Sequence, residues 1–301
     1  MRYLESFFLP IREAEEDIMA IQGAKNGGTL AYLDNTYPCG LFSKKDLYDI
    51  YFSPMTVFYG GNGSGKSTLL NLIAQKLKVT RVAPFNTGEM FDAFVNVCSY
   101  QMADDDEGNK VKLPKGSRII TSDDIFDYML AARSNNEEIA EKTDEVKAEW
   151  TERRFGRNVQ FNSMEDYDDL RLQLMARSKS TSRRKYVKKM LGEQIRLHSN
   201  GETALQYFEE MVKPDALYLL DEPENSMSPK LQLELKDMLE RASRYLGCQF
   251  IIATHSPFLL SMQDAKVYDL DQDPVRTQNW WDLENVRTYY EFFKENERFF
   301  R

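Results

Sequence analysis

An α/β fold built on a mostly parallel sheet is the architecture this sequence predicts, and three observations predict it. Residues 55–59, Met-Thr-Val-Phe-Tyr, form a short β-prone run that stops at a glycine cluster, and Leu69, Leu70, Leu72, Ile73 and Leu77 follow at helical spacing. Residues 216–220 and 248–253 are continuous apolar runs of strand length, the pattern of strands buried on both faces. Between them Leu231, Leu235, Met238, Leu239 and Ala242 share one helical face. Ser228 is the candidate cap of that helix, Pro229 its first residue, and Gly247 lies just past its end. Strand, helix and strand in that order make a βαβ unit, which requires a parallel sheet.

The remaining elements follow in order. A last short strand is expected at 266–270, Lys-Val-Tyr-Asp-Leu. Residues 123–196 read as mostly helical and polar, a helical subdomain inserted into one domain spanning 1–301. Within it an acidic cluster, Glu165, Asp166, Asp168 and Asp169, precedes a basic stretch. From Arg171 to Arg196 there are nine positive residues against one negative, Glu193. No heptad pattern runs long enough for an extended coiled coil. The tail, with Trp280, Trp281, Tyr289, Tyr290, Phe292, Phe293, Phe299 and Phe300, is expected to form a helix packed on the domain, a protein interface being the alternative.

Composition narrows the function classes. With 42% hydrophobic residues the chain is globular, and a net charge of −9, from 39 Lys+Arg and 48 Asp+Glu, argues against a uniformly basic nucleic-acid coat while leaving room for a local patch. Three scattered cysteines, Cys39, Cys98 and Cys248, suggest neither a disulfide framework nor a zinc cluster and point to a reducing, cytoplasmic setting. The first ten residues break their apolar run too early for a secretory signal, and no window reaches the length of a membrane helix, so no direct membrane insertion is expected. Two histidines, His198 and His255, exclude a multi-histidine metal centre.

Residues 60–67, Gly-Gly-Asn-Gly-Ser-Gly-Lys-Ser, fit the phosphate-loop pattern G-x-x-x-x-G-K-[ST] between a predicted strand and a predicted helix, the setting the motif requires. Glycines let backbone N–H groups curl round phosphate oxygens, and the helix N-terminus adds partial positive charge. Asn62, Gly63, Ser64, Gly65, Lys66, Ser67 and Thr68 form the expected nucleotide cradle. Lys66 reaches the β- and γ-phosphates, and the Ser67 hydroxyl binds Mg²⁺. The run Leu217–Leu220 then delivers two adjacent carboxylates: Asp221 suits the Mg²⁺ shell and Glu222 suits the attacking water.

Asp221-Glu222-Pro223-Glu224, with Ser199-Asn200-Gly201-Glu202 ahead of it and Ala253-Thr254-His255-Ser256-Pro257 after the next strand, resembles the ATP-binding-cassette superfamily of ATPases. Within it the chain is similar to the non-transport branch, with the heads of the structural-maintenance-of-chromosomes proteins, RecF and small bacterial ATPases, some associated with phage defence. The resemblance covers 55–257 and implies a P-loop ATPase head with a helical insert that binds ATP and Mg²⁺. It implies that Ser199, Asn200, Gly201 and Glu202 form the signature helix start that touches the γ-phosphate held by a second copy, so that nucleotide joins a homodimer. It also places at His255, 34 residues after Asp221, a histidine that senses the γ-phosphate and positions water. His198 stands where the signature usually has Leu, and Asn200 where it usually has Gly. Asn225-Ser226-Met227-Ser228 replaces the aspartate usual in transporter ATPases, which disfavours a transporter subunit. The glutamine that usually links Mg²⁺ to the helical subdomain is either Gln101 or replaced in the Ser122–Asp123 region, the latter preferred by position.

Two uses of ATP remain open. One is hydrolysis with Glu222 as general base, driving a conformational clamp in DNA maintenance or phage defence. The other is an ATP-switched assembly module for nucleic acid or an effector protein, with little turnover. The basic stretch at 171–196 is either a DNA or RNA contact, with steep salt dependence, or a solvated face balancing the acidic cluster.

Overall fold

The computed structural model describes residues 2–25, 36–85, 87–157, 167–178, 180–191 and 200–300. The chain divides into two compact units, one of Met1–Phe126 with Asn200–Arg301, the other Asp127–Ser199.

The first unit opens with β1 (Leu4–Phe8), α1 (Arg12–Lys25), β2 (Asp49–Tyr51) and β3 (Met55–Tyr59), then α2 (Lys66–Leu77), α3 (Glu89–Val97), β4 (Ser99–Met102) and β5 (Arg118–Ile120). Helix α4 (Ser122–Phe155) begins in this unit and ends in the second, which also holds α5 (Tyr167–Arg177) and α6 (Arg183–Leu191). The first unit resumes with α7 (Asn200–Met211), β6 (Leu217–Asp221), α8 (Pro229–Tyr245), β7 (Gln249–Ala253), the short α9 (Pro257–Leu260), β8 (Lys266–Asp269), β9 (Arg276–Gln278) and α10 (Glu284–Glu295).

The main sheet has the order β5-β6-β7-β3-β8-β9, parallel throughout except for β9, which runs antiparallel to β8. This is the parallel sheet the βαβ unit predicts. Every residue of β3 and β7 is buried, because helices cover both faces. On one face Phe58, Leu217, Leu219, Ile251 and Ala253 pack with Leu69, Leu70, Leu72 and Ile73 of α2. On the other, Tyr218 stacks on Phe250 at 5.5 Å, and α8 buries Leu235, Leu239 and Ala242.

A second sheet, β2-β1-β4, is antiparallel and adds Leu4, Phe7 and Ile50 to the same core as α2. Gln249 couples the two sheets. Buried in β7, its Oε1 accepts from the amides of Tyr3 and Leu4 at 2.7 and 2.8 Å, and its Nε2 donates to Leu4 O at 2.9 Å, so a polar side chain inside the core has its partners.

The second unit has a small core of Val146, Ala176 and Tyr186 with Trp150, Met175, Val187 and Leu191 packed on it. Arg153 joins α4 to α5 by bridging Glu149 at 2.6 Å and Asp169 at 2.9 Å. On α6, Arg183, Arg184, Lys185, Lys188 and Lys189 are all exposed. Lys179 and Arg196 of the basic stretch, and Glu165 and Asp166 of the acidic cluster, lie outside the described residues.

Two expectations need correction. Ser228 occupies the N-cap position of α8 but its side chain makes no capping hydrogen bond; Pro229 starts the helix without needing a partner for an N–H. The tail is not packed on the domain along its length. Leu283 and Val286 are buried, whereas Tyr289, Tyr290, Phe292, Phe293, Phe299 and Phe300 are all at least half exposed. The amide of Asn285 donates to Tyr59 Oη at 3.3 Å and its Nδ2 to His255 O at 2.9 Å, so the domain holds the first turn of α10 and the aromatics come after it. No helix among the described residues is long and apolar enough to cross a membrane.

Candidate functional site

The site lies where β3, β6 and β7, neighbours in the parallel sheet, all reach their C-terminal ends. That is the edge at which open α/β sheets place their ligands. β3 runs into the glycine loop and α2, β6 ends at Asp221, and β7 ends just before Thr254 and His255.

Gly65 is the residue before α2, at φ +105°, a conformation side chains resist, and a Cβ there would come within 3.0 Å of the Phe42 ring. The tight turn aims the first amides of α2, which have no partner within the helix, at the loop's hollow. Lys66 is 5% exposed and folds back over the loop: Nζ donates to Gly60 O at 2.7 Å and Gly61 O at 3.0 Å and lies 3.8 Å from Glu222 Oε1. Asn62, Gly63 and Ser67 are exposed, Ser64 and Thr68 buried. Ser64 Oγ is buried without a partner, an orphan that a phosphate oxygen beside the loop would satisfy. Thr68 Oγ1 meets the Tyr37 hydroxyl at 2.5 Å.

Ser67 Oγ donates to Asp221 Oδ1 at 2.9 Å. A hydroxyl and a carboxylate, both hard oxygen donors, suit Mg²⁺, which commonly takes one or two protein ligands and completes its shell with phosphate and water. Burial pushes the Asp221 carboxyl up from 3.8 to about 6, and the Ser67 hydroxyl opposes that shift. The sign follows from linkage. Between about pH 4 and pH 6 the folded state holds a proton the unfolded state has released, so stability falls as pH rises through that window. Asp221→Asn, neutral throughout, should therefore outlast wild type above pH 6, by on the order of 2–3 kcal/mol without nucleotide. The gap should close toward pH 4. Thermal melts from pH 4 to 8 check this, and a pH-independent gap would refute the charged-carboxylate cost.

Glu222 follows β6 in the left-handed region, φ +46°, with its amide donating to Ala253 O at 2.9 Å. That turn directs the carboxylate among three groups. Oε1 lies 3.8 Å from Lys66 Nζ and 3.6 Å from His255 Nδ1, and Oε2 accepts from Asn225 Nδ2 at 3.3 Å. His255 is half exposed. Lys66, Glu222 and His255 are thus brought together, beside the linked pair Ser67 and Asp221.

Of the residues assigned to the signature, His198 and Ser199 lie outside the described residues. Asn200, Gly201 and Glu202 begin α7, with Asn200 and Glu202 exposed and Gly201 buried. A Cβ at Gly201 would sit 2.7 Å from Leu231 Cδ1 and 3.0 Å from Ser226 O, so the glycine lets the helix start lie against the 225–228 loop. Gln101 is exposed in β4 of the small sheet, whereas Ser122 and Asp123 open α4 just beyond β5, the strand next to β6.

Sequence reasoning gave no role to the buried acids Glu15, Asp124, Glu224 and Asp269, of which Asp124 and Glu224 follow the ends of β5 and β6. Asp124 accepts from the amides of Ala83 at 2.8 Å and Thr121 at 2.7 Å and from Thr121 Oγ1 at 2.8 Å, fixing the turn after β5. Glu224 accepts from Thr254 Oγ1 at 2.5 Å and the His255 amide at 3.2 Å. Both have partners 30 or more residues distant, which no local pattern reveals; for Glu224 the adjacent Asp-Glu-Pro string was the available signal. Among the described residues no three His, Cys, Asp or Glu gather as a metal cluster.

The sequence model of the family described as "AAA domain, putative AbiEii toxin, Type IV TA system" matches residues 109–261, just over half of the chain. The match contains Asp221, Glu222, Glu224 and His255 and begins after the glycine loop. No curated protein matches the chain. Among solved structures it is similar to the Smc head domain with an extended coiled coil, bound to the C-terminal domain of ScpA, from Pyrococcus furiosus. The TM-score there is 0.39 at 13% identity, over 83% of this chain and 95% of that one. It is also similar to the SMC head domain from Thermotoga maritima, with TM-score 0.37 at 14% identity over 93% and 99% of the two chains. A third is the ATP-binding cassette MJ0796, dimeric in a post-hydrolysis state with ADP and Pi, at TM-score 0.34 and 14% identity over 78% and 90%.

Proposed function

The chain belongs to this AAA-domain family of ABC/AAA-like P-loop ATPases, and from that premise we propose that it binds Mg·ATP, closes as a nucleotide-bridged homodimer and hydrolyses ATP with Glu222 as general base. The observation that carries the reading is the convergence on Glu222 of Lys66 at 3.8 Å and His255 at 3.6 Å, beside the Ser67–Asp221 pair. Lys66 leaves the loop carbonyls for the β- and γ-phosphates, Ser67 and Asp221 hold the cation, and Glu222 takes a proton from the attacking water. When bound, Mg²⁺ supplies charge neutralisation on the phosphate oxygens. Catalysis is then positioning and charge stabilisation. The exposed Asn200 and Glu202 at the start of α7 reach the γ-phosphate held by the second copy.

Sizing of the Glu222→Gln protein with and without Mg·ATP tests the dimer. A monomer that becomes a dimer only with nucleotide is expected; one that stays monomeric at saturating ATP refutes the bridge.

The cellular role we propose is a conformational clamp in DNA maintenance or phage defence, and the toxin–antitoxin description of the family supports the defence setting. A second reading, an ATP-switched module on nucleic acid or an effector with little turnover, is favoured by the exposed cations of α6. Neutralising Arg183, Arg184, Lys185, Lys188 and Lys189 together should abolish DNA- or RNA-stimulated turnover and flatten the salt dependence of binding, by a slope of roughly 0.7–0.9 for each phosphate no longer neutralised. Filter binding from low to high salt checks it. An unchanged slope assigns those charges to a solvated face.

A further inference from the structure

Glu224 is 5% exposed and uses one carboxylate oxygen for everything it binds. Oε1 accepts from Thr254 Oγ1 at 2.5 Å and from the His255 amide at 3.2 Å, and lies 3.7 Å from His255 Nδ1. Oε2 is buried with no hydrogen-bond partner. A glutamine would serve the two donors equally well, since each needs only an oxygen acceptor. A second buried oxygen and a charge are therefore more than the loop requires, and an unsatisfied buried oxygen is costly.

His255 accounts for the charge, through the same oxygen Oε1. Its Nδ1 lies 3.6 Å from a Glu222 oxygen and 3.7 Å from a Glu224 oxygen, beyond hydrogen-bond length but within reach of two acidic groups that can only accept when ionised. An imidazole nitrogen facing acceptors keeps its hydrogen, and the state of one ring nitrogen is set by what the other side of the ring meets. Nε2, across the ring, makes no hydrogen bond with a described residue. The backbone is held from the same side, because Glu224 binds the amide of the residue whose ring it orients.

We propose that Glu224 is the positioning residue of His255: it clamps the end of β7, holds the hydrogen on Nδ1, and leaves Nε2 to face the substrate. Glu224 touches neither substrate nor cation and acts through the imidazole. Burial raises the Glu224 carboxyl pKa, and the bonds from Thr254 and the His255 amide, with the charge of His255, pull it back. The inference rests on the hydrolytic reading of Glu222 and His255 for its catalytic consequence, though the Glu224–His255 tie itself exists without nucleotide.

The test has one spectroscopic and one kinetic arm. The chain has two histidines, so ¹⁵N-labelled imidazole spectra of the nucleotide-free protein, assigned with His198→Gln, resolve His255 alone. Above the imidazole titration, wild type should show Nδ1 as the protonated nitrogen, the less common tautomer of free histidine. Glu224→Gln keeps an acceptor for Thr254 and the His255 amide, so the fold and the KM for ATP should hold, while the tautomer becomes mixed and kcat falls about tenfold. Glu224→Ala removes the clamp as well and should shift both readouts further. Wild-type imidazole signals in Glu224→Gln overturn the proposal, as does a tautomer change in Glu222→Gln alone. Should Glu222→Gln itself turn over ATP at the wild-type rate, the hydrolytic reading fails, and the imidazole arm still decides whether Glu224 positions His255.

Discussion

Glu222→Gln protein is expected to bind ATP with wild-type affinity and to turn it over between about a hundred and ten thousand times more slowly, the range a positioned general base contributes. The substitution is nearly isosteric, and the amide oxygen can still accept from Asn225 Nδ2, now 3.3 Å from Oε2. What disappears is the ability to take a proton. The left-handed backbone at residue 222 is a property of the turn after β6, held by the bond from the Glu222 amide to Ala253 O, so the variant keeps its geometry. Phosphate release at saturating Mg·ATP, beside equilibrium binding of a labelled nucleotide, separates the two effects. Turnover at the wild-type rate would remove Glu222 from the chemistry.

Lys66→Ala should lose nucleotide affinity by on the order of tenfold to more than a hundredfold, the scale of one or two hydrogen bonds to a charged group. The lysine is buried and spends its donors on Gly60 O and Gly61 O while Glu222 lies 3.8 Å away. Phosphate replaces two neutral carbonyls with charged oxygens, so Nζ gains by moving to it. Truncation also empties the space of the aliphatic stem, and Lys66→Met separates the causes because it keeps the stem and drops the charge. Calorimetric titration with ATP should find both variants equally impaired. Full affinity in Lys66→Met would mean that the backbone amides, not the ammonium, bind the phosphates.

The parts of the fold legible in the sequence are those whose signals are local. The 55–59 run, the glycine loop and the helical spacing from Leu69 to Leu77 lie within one stretch, and the structure puts β3 and α2 there. The strands at 217–221 and 249–253 were readable because burial on both faces leaves apolar runs at 217–220 and 250–253. The small sheet was not readable: Leu4 pairs with Met102 and Phe8 with Asp49, and strands of three to five residues carry too little alternation to show such pairing. The tail misled because aromatic content signals apolar surface without saying whether anything covers it; only the contacts of Asn285 and the burial of Val286 show where the domain stops holding α10.

By itself the sequence determined the parallel α/β class, the loop-to-helix turn and the order of the chemical groups along the chain, since each is written in residues within a few turns of one another. Only the tertiary structure set the distances at which Lys66 and His255 meet Glu222 and showed that Glu224 stands beside His255. Those meetings depend on β3, β6 and β7 lying side by side, and strand adjacency is set by which apolar faces find each other across some two hundred residues of chain.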